Sequence, residues 1–238
     1  SREGYSLPMA QRLACRQGIM QSLRNMALYG KNPANGEGLL NTQGATLVSL
    51  VADQFGNTTV STYDAGHMAT MLLRAIKNML SATYSTGEPV RIEILGPQRV
   101  LSEWNLASII QTTNFQRIGA GSATVGEAVQ IIAEQQGYSV GYSYDDTLIG
   151  KGAGGTDAII ITIPELKRLS VAPMLDTNAF ASLTPGNLDC NVMFTDVPAP
   201  TEIMTPIAGG GTDVLFEMRA TPGWGVRPEA TTIYSMPY

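Results

Sequence analysis

The sequence predicts an α+β fold in which one domain is split by an inserted α/β unit. Three observations carry this. A long amphipathic helix opens the chain, a strand–helix texture runs from Val90 to about Met174, and short strands between Pro/Gly turns fill the last third. The expected segments are 1–88, holding two helices, 89–188, the insertion, and 189–238, the returning strands.

The first helix is expected over 7–29. Ser6 suits its N-cap, Pro8 its first turn, and Gly30 a left-handed end. About 23 residues make a rod of roughly 35 Å. Met9, Leu13, Met20, Leu23 and Ala27 recur mostly in steps of three and four, and are expected to seat the rod on a sheet. Gly36-Glu37-Gly38-Leu39-Leu40-Asn41 follows as a loop. Thr46 to Val51 reads as a strand or a short apolar contact, and Gly56-Asn57 as a turn. Asp64 then caps a second helix, about 65–83, with a stripe of Met68, Leu72, Ala75 or Ile76, Met79 and Thr83 that Leu73 and Leu80 widen.

Val90-Arg91-Ile92-Glu93-Ile94-Leu95 alternates as a half-buried strand does. Arg99 to Ile110 is expected as one or two short helices. Thr124 and Glu127 form a capping box opening a helix to about Gln136, with Val125, Val129 and Ile132 inward and a stop at Gly137. Strands are expected at 140–144, 157–162 and 169–174, and a flexible loop at 150–155. Further strands fall around Val192–Phe194, Glu202–Met204, Val214–Met218 and Thr231–Tyr234, with hairpin or bulge sites at Gly209-Gly210-Gly211 and Pro222–Gly225.

Composition narrows the function. Charged residues are 15%, against roughly 25% in an average soluble protein. The surface must therefore be covered by neutral polar residues or by neighbouring subunits, whose interface cores are poor in charge. The net charge is −5, and no basic stripe is present, which argues against direct nucleic-acid binding. No apolar run approaches the roughly 20 residues of a membrane span. Cys15 and Cys190 stand alone, so a reducing compartment is the simpler reading.

Chemistry-bearing residues are sparse. His67, the single histidine, lies three residues after Asp64, the spacing of a base and its orienter but also of a polar residue at a helix start. Cys190 lacks a neighbouring base, which leaves it as a small buried residue more readily than a nucleophile. Asp145-Asp146 has the charge for a cation but not the EF-hand spacing, so a turn with solvated acids is the plainer reading. Gly150–Thr156 resembles a phosphate cradle only in glycine content, since a strand rather than a helix follows it. Trp224 between Gly223 and Gly225 reads equally as an interface anchor or a core plug. No catalytic, cofactor or metal residue is assigned.

The long helix, Tyr29-Gly30, Gly38-Leu39-Leu40-Asn41 just after it, the second helix, the central insertion and the ending Gly223-Trp224-Gly225-Val226-Arg227-Pro228 together resemble the major capsid proteins of tailed bacteriophages. That fold is shared with encapsulins. The resemblance implies a spine helix, a peripheral domain of long antiparallel strands, and an axial domain around fivefold and sixfold axes, with 150–155 as a candidate axial contact. The family's N-terminal arm and extended loop are expected to be absent here, and Ser1-Arg2-Glu3-Gly4 to be a cut or processed end.

The implied function is a phage or prophage coat subunit, assembled in the bacterial host cytoplasm and residing in the virion. Its partners would be other copies in pentamers and hexamers, DNA held only by enclosure, and scaffold and portal proteins. No cofactor, enzymatic activity or membrane is implied. The alternatives are an encapsulin-like compartment shell that binds a cargo peptide, an α/β enzyme using Asp145, Asp146 or Cys190, and a small monomeric ligand-binding domain.

Overall fold

The computed structural model describes residues 7–36, 38–83, 90–106, 124–165, 192–193, 201–209, 211–218, 224–225 and 228–238. Its elements, in chain order, are helix α1 (Leu7–Tyr29), strand β1 (Thr46–Ser49), α2 (Ala65–Ala82), β2 (Val90–Gly96), α3 (Gln98–Leu106), α4 (Val125–Gln135), β3 (Tyr138–Tyr144), β4 (Asp157–Thr162), β5 (Val192–Met193), β6 (Thr201–Ile207), β7 (Gly211–Glu217), β8 (Trp224–Gly225) and β9 (Thr231–Met236). The expected strand at 169–174 and the expected cap Ser6 lie outside the described residues.

The chain forms two units, 1–43 with 192–225, and 44–191 with 226–238. These boundaries differ from the expected segments 1–88, 89–188 and 189–238. The reason is strand pairing. β9 lies between β1 and β4 in a five-stranded sheet ordered β1-β9-β4-β2-β3, so residues at both sequence ends of the larger unit share one hydrogen-bonded layer. β1 runs parallel to β9, and β2 parallel to β3. β4 runs antiparallel to both of its neighbours.

The register brings Ile94 against Ile161, Ile159 against Tyr234 and Ile92 against Val140, all on one face. α2 and α4 pack together in the core formed over this face. The expected α2 stripe of Met68, Leu72, Ala75, Ile76, Met79 and Thr83 is buried, as is the expected Leu80, while Leu73 is half-buried. β2 alternates as its pattern predicts, with Val90, Ile92 and Ile94 buried and Arg91 exposed. β4 is buried along its whole length, as a continuous apolar run at the centre of a sheet should be. In α4 the capping box is present, with Thr124 and Glu127 satisfying each other's backbone N–H. Ala133 is buried rather than Ile132.

Asp53 organises the connection from β1 to α2. Its nearly buried carboxylate accepts from the N–H groups of Phe55, Asn57 and Asp64 and from the Asn57 side chain. Burial alone would raise its pKa. The donors, Asn57 and Asp64 foremost, outweigh that and hold it below the ordinary carboxylate value. A depressed folded-state pKa stabilises above the unfolded value, about 3.9, and that stability is lost as pH falls through the folded value. Thermal midpoints measured from pH 5 to pH 2 are expected to fall less steeply with acid for Asp53→Asn than for the parent, with the parent the more stable at pH 7.

In the smaller unit, the C-terminal end of α1 is closed by the Gly-Leu-Leu-Asn segment. Leu39 N–H donates to Ala27 O (3.1 Å) and Leu40 N–H to Leu28 O (2.9 Å). Asn41 Nδ2 donates to Tyr29 O (3.0 Å) and Pro33 O (2.7 Å), while its Oδ1 accepts from Gly38 N–H (2.8 Å). Carbonyls that a helix end leaves without partners are thereby satisfied. Gly30 has the left-handed conformation expected of it, φ 73°.

Candidate functional site

The residues with chemical potential are used structurally. Asp64 Oδ2 accepts from the His67 backbone N–H (2.8 Å) as the cap of α2, so it does not orient the imidazole. His67 Nδ1 instead accepts from Gln54 N–H (3.1 Å) and ties the preceding loop to the helix. Asp145 Oδ1 accepts from Thr147 N–H and Oγ1. Asp146 Oδ1 accepts from Gln98 N–H (2.8 Å) at the start of α3. The two acids therefore cap two different elements. Among the described residues no group of three His, Cys, Asp or Glu converges as a metal site would. No helix among them is long and apolar enough to cross a membrane. Cys190 and the side chain of Trp224 lie outside what is described, although the Trp224 backbone pairs with Met193.

The 150–155 loop is exposed, but it is not the flexible loop expected from its glycines. Five of its six backbone N–H groups have acceptors nearby. Gly150 N–H donates to Asp157 Oδ1, Lys151 to Leu148 O, Gly152 to Thr156 O, Ala153 to Ser235 Oγ and Gly155 to Gly152 O. A phosphate cradle needs such donors unpaired and converging, and these are neither. Asp157, buried at the head of β4, also receives a bidentate bond from Arg99, Nε to Oδ2 at 2.7 Å and Nη2 to Oδ1 at 2.6 Å. That bond keeps the Arg99 guanidinium protonated more firmly still, with burial opposing. Arg99 also lies 4.9 Å from the Tyr238 ring centre, and Tyr238 donates to Glu103. One buried carboxylate thus ties α3, the loop and β4 together.

Among the described residues, large apolar side chains stand exposed in both units, at Leu47, Val51, Phe55 and Leu106 of the larger one and on α1 and the hairpin of the smaller one. On α1, Met9, Leu13 and Met20 are 68%, 59% and 60% exposed, which corrects the expectation that they seat the helix. The seat lies on a neighbouring stripe. Cys15, Ile19, Leu23 and Met26 line a groove of about 770 Å³ with Val214, Leu215, Phe216 and Met218. Arg12 pairs with Glu202 at 2.9 Å, and the Arg16 guanidinium lies 6.0 Å from the Phe216 ring centre. The helix carries two apolar stripes that share Leu23, and its sequence does not say which one the hairpin takes.

The β6–β7 hairpin, antiparallel from Thr201↔Glu217 to Ile207↔Gly211, turns Glu202, Met204, Val214 and Phe216 one way and Ile203, Ile207 and Leu215 the other. The second set is 40%, 53% and 58% exposed. The sequence reading missed this face. Ile203 and Ile207 sit four apart on one strand with Leu215 opposite Ile203, a period-2 signal, but only the hairpin register joins the three into one face.

No known protein family matches the sequence, and no curated protein matches it. Solved structures do match. The capsid of Myoviridae Phage XM1 aligns over 97% of this chain with a TM-score of 0.56 and 12% sequence identity. The chain spans 65% of the length of that capsid chain. Looser similarities are a structure from Mycobacterium phage Che8 and the holo-SrpI encapsulin complex from Synechococcus elongatus PCC 7942. The first has a TM-score of 0.46 at 10% identity, covering 96% of this chain and 63% of that one. The second has a TM-score of 0.45 at 12% identity, covering 99% and 67%. The chain has a mixed α+β fold of the kind seen in the XM1 capsid.

Proposed function

We propose that this chain is a structural coat subunit that self-associates into an icosahedral shell enclosing a phage genome. The observation that carries the reading is the fold likeness to the XM1 capsid along 97% of the chain. In this reading α1 is the spine helix, the β6–β7 hairpin belongs to the peripheral domain, and the unit of 44–191 with 226–238 is the axial domain. The tied 150–155 loop then serves as an axial contact in pentamers and hexamers. A rigid tip suits that role, because a preordered contact loses less conformational entropy on association.

The surface chemistry supports the reading. A low density of charge lowers the desolvation cost of wide lateral contacts. A net charge of −5 lets a shell hold DNA by enclosure without binding it tightly. Scaffold and portal proteins would be the other partners, and the virion the place of residence.

Electron microscopy of the full-length gene product at rising concentration is the test. Closed shells or curved sheets are expected. A protein that stays monomeric at high concentration, or one that turns over a substrate through Asp145 or Asp146, overturns the reading. Shells recovered with a protein cargo instead of nucleic acid would replace the genome by a cargo and leave the shell.

A further inference from the structure

His67 is the chain's single histidine, and it is exposed to solvent. Its Nδ1 accepts from the Gln54 N–H across 13 residues of chain. A ring nitrogen accepts only while it carries no proton, so the neutral ring here holds its proton on Nε2. Protonation turns Nδ1 into a donor that faces another donor, and the bond is lost. Histidine is the side chain whose ordinary change of charge falls between pH 5 and 8. The groups around it hold the same loop by other means. Asp53 accepts from Phe55, Asn57 and Asp64 and is held below the ordinary carboxylate value, so it keeps its charge over that range. Tyr63 donates to Val51 O (2.9 Å), and burial, with Asp53 and Asp64 nearby, pushes its hydroxyl above the ordinary value. Asp64 caps α2 through the His67 backbone N–H. The helix has no further charged residue before Arg74.

We infer that His67 is a pH-sensitive fastener of the loop between β1 and α2, closed on Gln54 while its imidazole is neutral and open once the ring is protonated. One corner of the loop is released. Asp53 keeps its own bonds, so the start of α2 stays in place while the backbone around Gln54 and Phe55 loosens. That corner carries Phe55, 72% exposed, and follows Val51, also 72% exposed. Acid therefore changes how firmly an apolar part of the surface is held, without unfolding the unit beneath it. The inference needs only the bond between Gln54 and His67 and does not depend on the coat-subunit reading.

Hydrogen exchange of the full chain, read by mass spectrometry on overlapping fragments, tests this at the Gln54 amide. Each rate is divided by that of the unfolded chain at the same pH, which removes the intrinsic effect of acid on exchange. Protection in the parent is expected to fall several-fold from pH 8 to pH 5. His67→Asn places an oxygen acceptor near the position of Nδ1 and cannot take up a proton. His67→Ala has no acceptor. The pH dependence is expected to vanish in both variants, and His67→Ala is expected to stay at the low protection of the acid parent. Equal protection of the parent at the two pH values overturns the inference. So does an acid-dependent loss that survives in either variant, because another group would then be titrating. A His67→Ala chain as protected as the parent at pH 8 also overturns it.

Discussion

Gly38→Ala is expected to unfasten the end of α1 and to destabilise the smaller unit by on the order of 3 kcal/mol. A Cβ at Gly38 would overlap the Leu28 carbonyl and the Tyr29 Cα, which are backbone atoms and cannot rotate away. The segment would have to lift off the helix. Lifting it breaks the bonds from Leu39 and Leu40 N–H to Ala27 and Leu28 O, and moves Asn41 away from Tyr29 O and Pro33 O. Hydrogen exchange should show the change directly, as faster exchange at Gly30, Leu39 and Leu40 with little change in the α2–β4 region. Asn41→Ala removes the side-chain part alone and is expected to cost less, about 1–3 kcal/mol, by taking away the acceptor of Gly38 N–H and the Asn41 donor from Tyr29 O and Pro33 O. If Gly38→Ala exchanged like the parent, the close approach of loop and helix would have no energetic weight.

Ile161→Ala is expected to cost about 2–5 kcal/mol. Ile161 is fully buried on a strand with hydrogen-bonded neighbours on both sides, opposite Ile94 on β2 and Thr232 on β9. Neighbouring backbone held in a ladder relaxes little, so the cavity should persist, which places the cost toward the upper end of the range. For a chain of this size each kcal/mol moves the thermal midpoint by roughly 2–4 °C, and a fall of about 6–15 °C is the result to look for in a calorimetric scan. A shift under about 2 °C would mean that the site collapses around the smaller side chain, contrary to a rigid central strand.

What was legible in the sequence was local. The capping box at Thr124 and Glu127, the Asp64 cap, the stripe of α2 and the alternation in β2 depend on residues within a few positions of each other, and each appears where its pattern placed it. Relations between distant segments were not legible. Nothing in Thr231–Met236 says that it will lie between β1 and β4, because a short apolar strand pairs equally well with many others until the core chooses. The helix α1 misled for a related reason. Its sequence offers two overlapping stripes, and the hairpin takes the one through Ile19 and Met26. The 150–155 loop misled through composition. Its glycines suggest freedom, yet Gly150, Gly154 and Gly155 supply the positive φ angles that let the backbone close its own hydrogen bonds.

The place of β9 has a consequence in time. Thr231 meets Thr162 across 69 residues of chain. At 5–20 residues per second, a ribosome needs about 3–14 s to make that stretch. Until then β4 has one edge without its neighbour, and β1 has no strand to join it to the sheet. The larger unit therefore closes only after its last strand is synthesised, and a nascent chain carries an open apolar edge in the meantime. Chains that terminate before residue 231 keep that edge, which makes them candidates for aggregation and removal. A chain that has closed its sheet is by the same token one that has been read to Met236.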